Sequence, residues 1–387
     1  VLNSPALAWA GITADTPTPA GGIINRLPDS QEPAGLLMET AYLPLLEKMP
    51  RPGEEEMLDL LEPAQMMYAS AGYVHAQEGF THIEDMAFLR KAAQQQRLFI
   101  DIATLPGFTE FPQWKDDPGY KFGAYDNGLK LQGIKFVQDG SPQGRTAYVR
   151  EPYLTGGPGG EKDWRGEPIQ PGKDFSAQVK MALDAGLQVF AHANGDAAID
   201  QFIDAVRSAG VTAEDDRRAV VIHSQFQRPE HLDAYLELGM SPSYFTNHAF
   251  FWGDEHIRNI GLAKASFISP LKSAKQKGLV FSNHTDFNVT PLDPFFVLWS
   301  AITRETRSEK ILGPLERVDI YTALQGLTTG PAWQLFEEDS KGRIKAGYRA
   351  NFVILSSDPM RTELEFLRRI KVYETIRDGK TIYSAGS

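Results

Sequence analysis

The chain has 387 residues, 42% hydrophobic and 23% charged, enough for one large domain with an appendage or for two ordinary domains. A formal net charge of −11 argues against general nucleic-acid binding, which needs a cationic surface to displace counterions. The absence of cysteine excludes disulfides, thiolate metal sites and cysteine nucleophiles, and no apolar run approaches the roughly 20 residues that cross a bilayer. A small-molecule substrate is the expected partner, with neither nucleic acid nor membrane involved; a homo-oligomer is compatible with this composition, and no compartment is assigned.

Residues 1–69 mix turn formers (Pro17, Pro19, Gly21, Gly22, Pro28, Pro33) with two helical patterns, AGLLMETAYLPLLEKM and EEEMLDLLEPAQMMYASA, and read as a loop and helical insertion. Over residues 70–335 short β-rich runs alternate with helical ones, the signature of βα units around a parallel sheet. The expected strands are YVHA (73–76), LFIDIA (98–103), IKFVQD (134–139), QVFAHA (188–193), AVVIHS (219–224), SPSYF (241–245) and LVFSNH (279–284). Between them lie amphipathic runs such as DFSAQVKMALDAG and PEHLDAYLELG, ending in glycine as helices often do. Seven strands fit either an α/β barrel of eight that lacks its first strand or an open seven-stranded sheet. Residues 336–387 read as a helix followed by a small β unit, with turns at Gly342, Gly347 and Gly379.

Four of the apolar runs end in a residue that can hold or serve a metal ion: GIKFVQDG at Lys135, LQVFAHANGD at His192, AVVIHSQ at His223 and LVFSNHTD at Asp286. Parallel strands deliver their last side chains to one shared face, so these four can converge. A buried lysine drifts toward the neutral amine, which either takes up carbon dioxide as a carbamate or forms a Schiff base; alternatively Lys135 pairs with Asp139 or Asp286. Two histidines on successive strands favour metal ligation over ordinary core packing. Asp286 suits a ligand and catalytic proton carrier, or the cap of the following helix.

Further candidates surround them. His284 is expected to share the inward face with Asp286, His75 and His248 are candidate pocket residues, and Asp139, Ser141 and Arg145 lie on a loop at the active face as substrate or supporting contacts. His82, His231 and His256 sit in helical, charged surroundings and are expected on the surface. Phe250, Phe251 and Trp252 are either ordinary packing or an apolar wall on a loop. No GxGxxG or GK[ST] motif supports nucleotide binding.

The segments VLNSPALAWAGI, IKFVQDGSPQGRTA, HANGDAAID, HSQF, SNHTDFNVTPLDP and GRIKAGYRANFVIL, in this order along the whole chain, resemble the metal-dependent amidohydrolase superfamily, in the branch (amidohydrolase family 3) that includes N-substituted formamide deformylases. The resemblance implies a (β/α)8 TIM-like barrel with a small β-sandwich made from the chain ends. It further implies one or two divalent ions, zinc by default, held by carboxylated Lys135, His192, His223 and Asp286, and hydrolysis of amide-type, non-peptide carbon–nitrogen bonds through a metal-activated water. The family's HxH pair on strand one has no counterpart, so the chain is expected to be N-terminally incomplete, lacking that strand. Ala350–Asn351 and Ile222 also stand where relatives often carry Ala-Asp and Glu. The alternatives are a lysine Schiff-base lyase on a barrel and a catalytically impaired homologue.

Overall fold

In the computed structural model, which describes residues 1–386 apart from Ala20, Arg51, Pro118 and Tyr120, the first strands form a hairpin. Strand β1 (Gly22–Arg26) pairs antiparallel with β2 (Pro33–Glu39) in the register Ile23↔Met38 and Ile24↔Leu37. The helix expected over residues 34–49 is thereby corrected, because only Leu43–Lys48 is helical. Pairing buries Ile24 and Leu37 against Ile12 and Leu45, and this tertiary gain overrides the local helical pattern. The second expected helix forms as Glu54–Ser70, with three glutamates in its first turn, where the helix dipole favours anions.

The parallel strands follow. They are β3 (His75–Thr81), β4 (Asp101–Pro106), β6 (Leu129–Leu131) with the short antiparallel β5 (Tyr125–Asp126) beside it, β7 (Gly133–Val137), β8 (Gln188–Ala193), β9 (Val220–His223), β10 (Ser241–Tyr244) and β11 (Ser282–Asn283). Pairing runs β3-β4-β6 and β7-β8-β9-β10-β11, and the bridge Gly107↔Lys135 joins the two sets. With only Gln132 between β6 and β7, the result is seven parallel positions in chain order. Three expected strands shift: 73–76 gives way to β3, whose sequence HAQEGFT lacks apolar alternation, 98–103 moves three residues on to β4, and 279–284 contracts to β11.

Alternation sorts the side chains. On β8, Val189, Ala191 and Ala193 join the main core with Phe175, Val179, Phe202, Val206 and Leu232 of the covering helices Gly172–Asp184, Asp196–Ser208 and Pro229–Leu238. The opposite face is layered. It is polar at the strand starts (Asp101, Lys130, Gln188) and apolar in the middle (Ala103, Leu105, Phe190, Val220, Ile222), and Lys135 and His192 line the cavity above.

Two interruptions of the alternation place key residues. Leu129 and Leu131 pack toward the helices, and so do Ile134 and Phe136, so the phase changes by one residue at Gln132–Gly133. Without that change Lys135 would face the helices. A Cβ at Gly133 would lie 2.5 Å from the Gln188 carbonyl oxygen, a backbone atom of the neighbouring strand that cannot easily yield. On β9, Val221 faces the helices and Ile222 the cavity, so His223 is due to face the helices again. Its φ of 74°, followed by 45° at Ser224, accompanies a turn of the imidazole into the cavity. Such left-handed residues cost about 1–3 kcal/mol each.

The strand starts end in a buried ion network that ties in the C-terminal segment. There, β12 (Phe352–Leu355), β13 (Val372–Arg377) and β14 (Lys380–Ser384) form an antiparallel sheet, with Asp378 and Gly379 at positive φ in the tight β13–β14 turn. Asp101 pairs with Lys341 at 2.8 Å, Arg349 at 2.6 Å and Arg377. Glu337 pairs with Lys130 at 2.8 Å and Lys341 at 2.6 Å and accepts from the Tyr125 hydroxyl. His75 Nδ1 lies 3.8 Å from Glu337. Burial pushes the Glu337 carboxyl up, but His75, Lys341 and Lys130 outweigh it and hold it down at about 2. Burial, then Lys341, lowers His75 to about 4 against the pull of Glu337.

The unfolded chain takes up these protons near 4.5 and 6.5, the folded chain only near 2 and 4. Stability from this pair is therefore complete above the unfolded values and is lost as pH falls through the folded ones. Thermal unfolding in buffers of decreasing pH is expected to show Tm falling in acid. Glu337→Gln is expected to cost roughly 3–5 kcal/mol at neutral pH and to flatten that acid dependence. In chemical denaturation, Gly133→Ala is expected to lose about 1–3 kcal/mol from overpacking against β8.

Candidate active site

One cavity of about 2180 Å³ collects Lys135, His192, His223, His284 and Asp286, together with Asp139, Ser141, His248 and, at the far end of β3, His75. Asp139 organises one wall. Its Oδ1 accepts from Asn194 N at 2.9 Å, and its Oδ2 accepts from Gly195 N at 2.7 Å and Tyr148 N at 3.0 Å. One buried carboxylate thus fastens the loops after β7 and β8 to each other. Asp139 Oδ1 also lies 3.2 Å from His192 Nδ1, though out of line with the ring N–H, so the contact is electrostatic more than a hydrogen bond. His192 Nε2 sits 3.1 Å from Asn194 Nδ2.

The His223 ring lies edge-on to His192, with centroids 4.7 Å apart. Its Nδ1 is 3.0 Å from His284 Nε2, and His284 Nδ1 is 2.9 Å from Ser243 Oγ. Burial first, then the charges of His192, His284 and Lys135, pushes His223 well below the ordinary histidine range. Burial lowers His284 to about 4 despite Asp286. Both imidazoles are therefore neutral at physiological pH, the form that ligates metals.

Lys135 is 6% exposed. Burial brings its amine down to about 8, while Asp286 and Glu78 pull the other way. Neither Asp139 nor Asp286 forms an ion pair with it among the described residues, so the pairing considered for Lys135 does not occur. Asp286 itself is exposed to the cavity, with φ of 49°.

Several sequence-based placements are corrected. His75 does line the cavity, as expected, and there it also joins the ion network, because it begins β3 at the level of Asp101. Arg145 turns away from the cavity and donates to the carbonyls of Thr155 and Gly156 at 3.2 and 3.0 Å. His231 and His256, expected on the surface, are buried: His231 bridges Arg228 N and Asp200, and His256 stacks on His248 with Nε2 3.1 Å from His248 Nδ1. Each lies on the inward side of a helix whose charged residues masked it. His82 is about half exposed, as expected. Phe250, Phe251 and Trp252 lie on the helix Asn247–Ile260, and Phe250 packs on Phe296 and Trp299. Sequence reasoning missed Ser243 and Asn194; a period-two reading of SPSYF, which puts Ser241 and Ser243 on one face, was the available signal for the first.

The donor chemistry fits a divalent ion in part. Among the described residues no three His, Asp or Glu side chains gather as a metal site. Lys135 lines the same cavity as His192, His223 and Asp286; as a carbamate it would supply the missing carboxylate-type donor, and as an ammonium it would supply none.

Ligand-type side chains collected at the C-terminal ends of parallel strands mark an α/β enzyme with its active site on that face. The sequence profile of the Amidohydrolase family matches residues 1–383, and the chain belongs to that family of hydrolases. The Bacillus subtilis protein YtcJ is 25% identical over 99% of this chain and 72% of its own length. N-substituted formamide deformylase of Arthrobacter pascens is 24% identical, covering 98% and 71% respectively. An uncharacterised metal-dependent hydrolase of Pyrococcus furiosus superposes with a TM-score of 0.72 at 21% identity, over 93% of this chain and 70% of that one. This likeness shows a TIM-barrel-like α/β fold.

Asp139→Asn replaces an acceptor with a donor facing backbone N–H groups. It is expected to cost about 1–3 kcal/mol in denaturant unfolding. Amide exchange at Tyr148, Asn194 and Gly195 should quicken; unchanged protection there would contradict the fastening role.

Proposed function

We propose that this chain hydrolyses amide-type, non-peptide carbon–nitrogen bonds of small molecules with the help of a divalent metal, zinc by default. Lys135 carries the reading: a buried amine, with no carboxylate ion-paired to it among the described residues, lines the same cavity as two histidines on consecutive strands. Carbon dioxide adds to such an amine with loss of one proton, and the resulting carbamate would join His192 and His223 as ligand, with Asp286 alongside. A metal so held supplies Lewis acidity toward the carbonyl and lowers the pKa of water. The rest falls to the chain. Asp139 orients His192, and the Asp286 carboxylate takes the proton of the attacking water and returns it to the departing nitrogen. The strands β3 to β11 are read as seven positions of a (β/α)8 barrel and β12–β14 as part of a β-sandwich; the parallel order and the Pyrococcus relative's TM-score of 0.72 support this.

A second reading also draws on the buried Lys135 amine, which suits a Schiff base with a carbonyl substrate. Elemental analysis and a panel of small amides separate the two. The purified protein is expected to contain a divalent metal and to lose hydrolysis on chelation, and Lys135→Ala to lose the metal. Asp286→Asn should lower kcat by roughly 10²–10⁴-fold. Borohydride trapping of a carbonyl compound on Lys135, with activity surviving chelation, would replace the hydrolase reading with the lyase one.

A further inference from the structure

His223 and His284 share one hydrogen bond, Nδ1 to Nε2 at 3.0 Å, and one proton must lie in it. Two arrangements are open to the neutral pair. If the proton sits on His223 Nδ1, then His223 Nε2 is bare, and His284 carries its own proton on Nδ1, directed at Ser243 Oγ 2.9 Å away. If it sits on His284 Nε2, then Ser243 must donate to His284 Nδ1, and His223 carries its proton on Nε2. Only the first leaves His223 with a lone pair on its free nitrogen. Nε2 has no hydrogen-bond partner among the described residues, while the ring lines the cavity beside His192.

The surroundings of Ser243 favour the first arrangement. Its hydroxyl oxygen already accepts from Ser282 Oγ at 2.8 Å and has a second lone pair to accept from His284. Ser243 also lines the cavity, so its own proton can point into open space and is not confined to His284. The serines hold their places by strand geometry: Ser243 pairs in register with Ser282 across β10 and β11, and with Ile222 across β9. Positive φ at His223 then brings its ring onto His284.

We infer that His284, backed by Ser243 and Ser282, is a positioning residue that fixes His223 as the Nδ1–H tautomer and so keeps Nε2 bare toward the cavity as a metal donor. This rests on the metal-dependent reading above for its purpose but not for its geometry. Outer partners of this kind typically change metal affinity by roughly 10–100-fold when removed. His284→Gln retains an acceptor oxygen near the position of Nε2, whereas His284→Leu retains none.

Histidine-selective ¹⁵N NMR on the metal-free full chain tests the inference, with the His223 signals assigned by their loss in His223→Gln. His223 is expected as Nδ1–H in the wild type and in His284→Gln, and as a mixture or as Nε2–H in His284→Leu. Zinc titration of the three proteins should show roughly 10–100-fold weaker binding for His284→Leu alone, with thermal unfolding confirming that it is folded. Should His284→Leu fail to fold, the wild-type tautomer and the His284→Gln spectrum still decide. Nε2–H at His223 in the wild type would overturn the inference even if zinc binds. Nδ1–H at His223 without any zinc binding would support it while removing the metal-dependent reading.

Discussion

Side-chain direction along a strand alternates with period two, and every functional statement about this protein depends on where that alternation holds and where it is broken. A buried parallel sheet must satisfy helices on one face and a cavity on the other, so each residue is committed to one side by its parity. Uninterrupted, the parity set by Leu129 and Leu131 would send Lys135 into the helices, and that of β9 would do the same to His223. The phase change at Gly133 and the left-handed backbone at His223 rescue both. A bare glycine against the Gln188 carbonyl and a non-glycine residue at positive φ both lower stability locally. Such costs concentrate where function needs a side chain that regular structure would hide.

Asp139 and the base network anchor opposite ends of the sheet in different ways. Asp139 is one carboxylate satisfied by three backbone N–H groups, so it fixes loop conformation as well as the neighbouring His192. The network around Asp101 and Glu337 is a set of charges brought from distant parts of the chain, with Lys341, Arg349 and Arg377 all contributed after residue 340. It joins the C-terminal sheet to the strand starts by charge pairing, alongside the apolar packing of Val372, Leu355 and Tyr383 on the main core and of Ile382 beside Ile100 and Ile102. Between the two ends, Phe190, Val220 and Ile222 form an apolar layer. It separates the cations of the base from Lys135, to which no carboxylate is ion-paired among the described residues.

Much of this was legible in the sequence. The order of βα units, the C-terminal strands and the gathering of Lys135, His192, His223 and Asp286 at one cavity all follow from apolar runs that end in polar residues. What the sequence misled on was contextual. Residues 34–49 carry a helical pattern, yet the first half pairs with β1 because burying Leu37 there outweighs propensity. His231 and His256 are flanked by charged residues in sequence but lie on the buried sides of their helices, where Arg228 N and the distant Asp200 meet His231, and His248, eight residues away, meets Nε2 of His256. Arg145 sits beside active-face residues in the chain and still turns away, since two carbonyls ten and eleven residues on receive its guanidinium.

By itself the sequence determined the class of the protein and the residue types at its site, because periodicity and strand-end chemistry are local properties that survive without neighbours. Tertiary structure alone decided which nitrogen of which histidine is free. The contacts of His223 with His284, of His284 with Ser243, and of His192 with Asp139 join residues from different strands. Their geometry depends on register and on backbone angles at single positions, and no pattern along the chain encodes these.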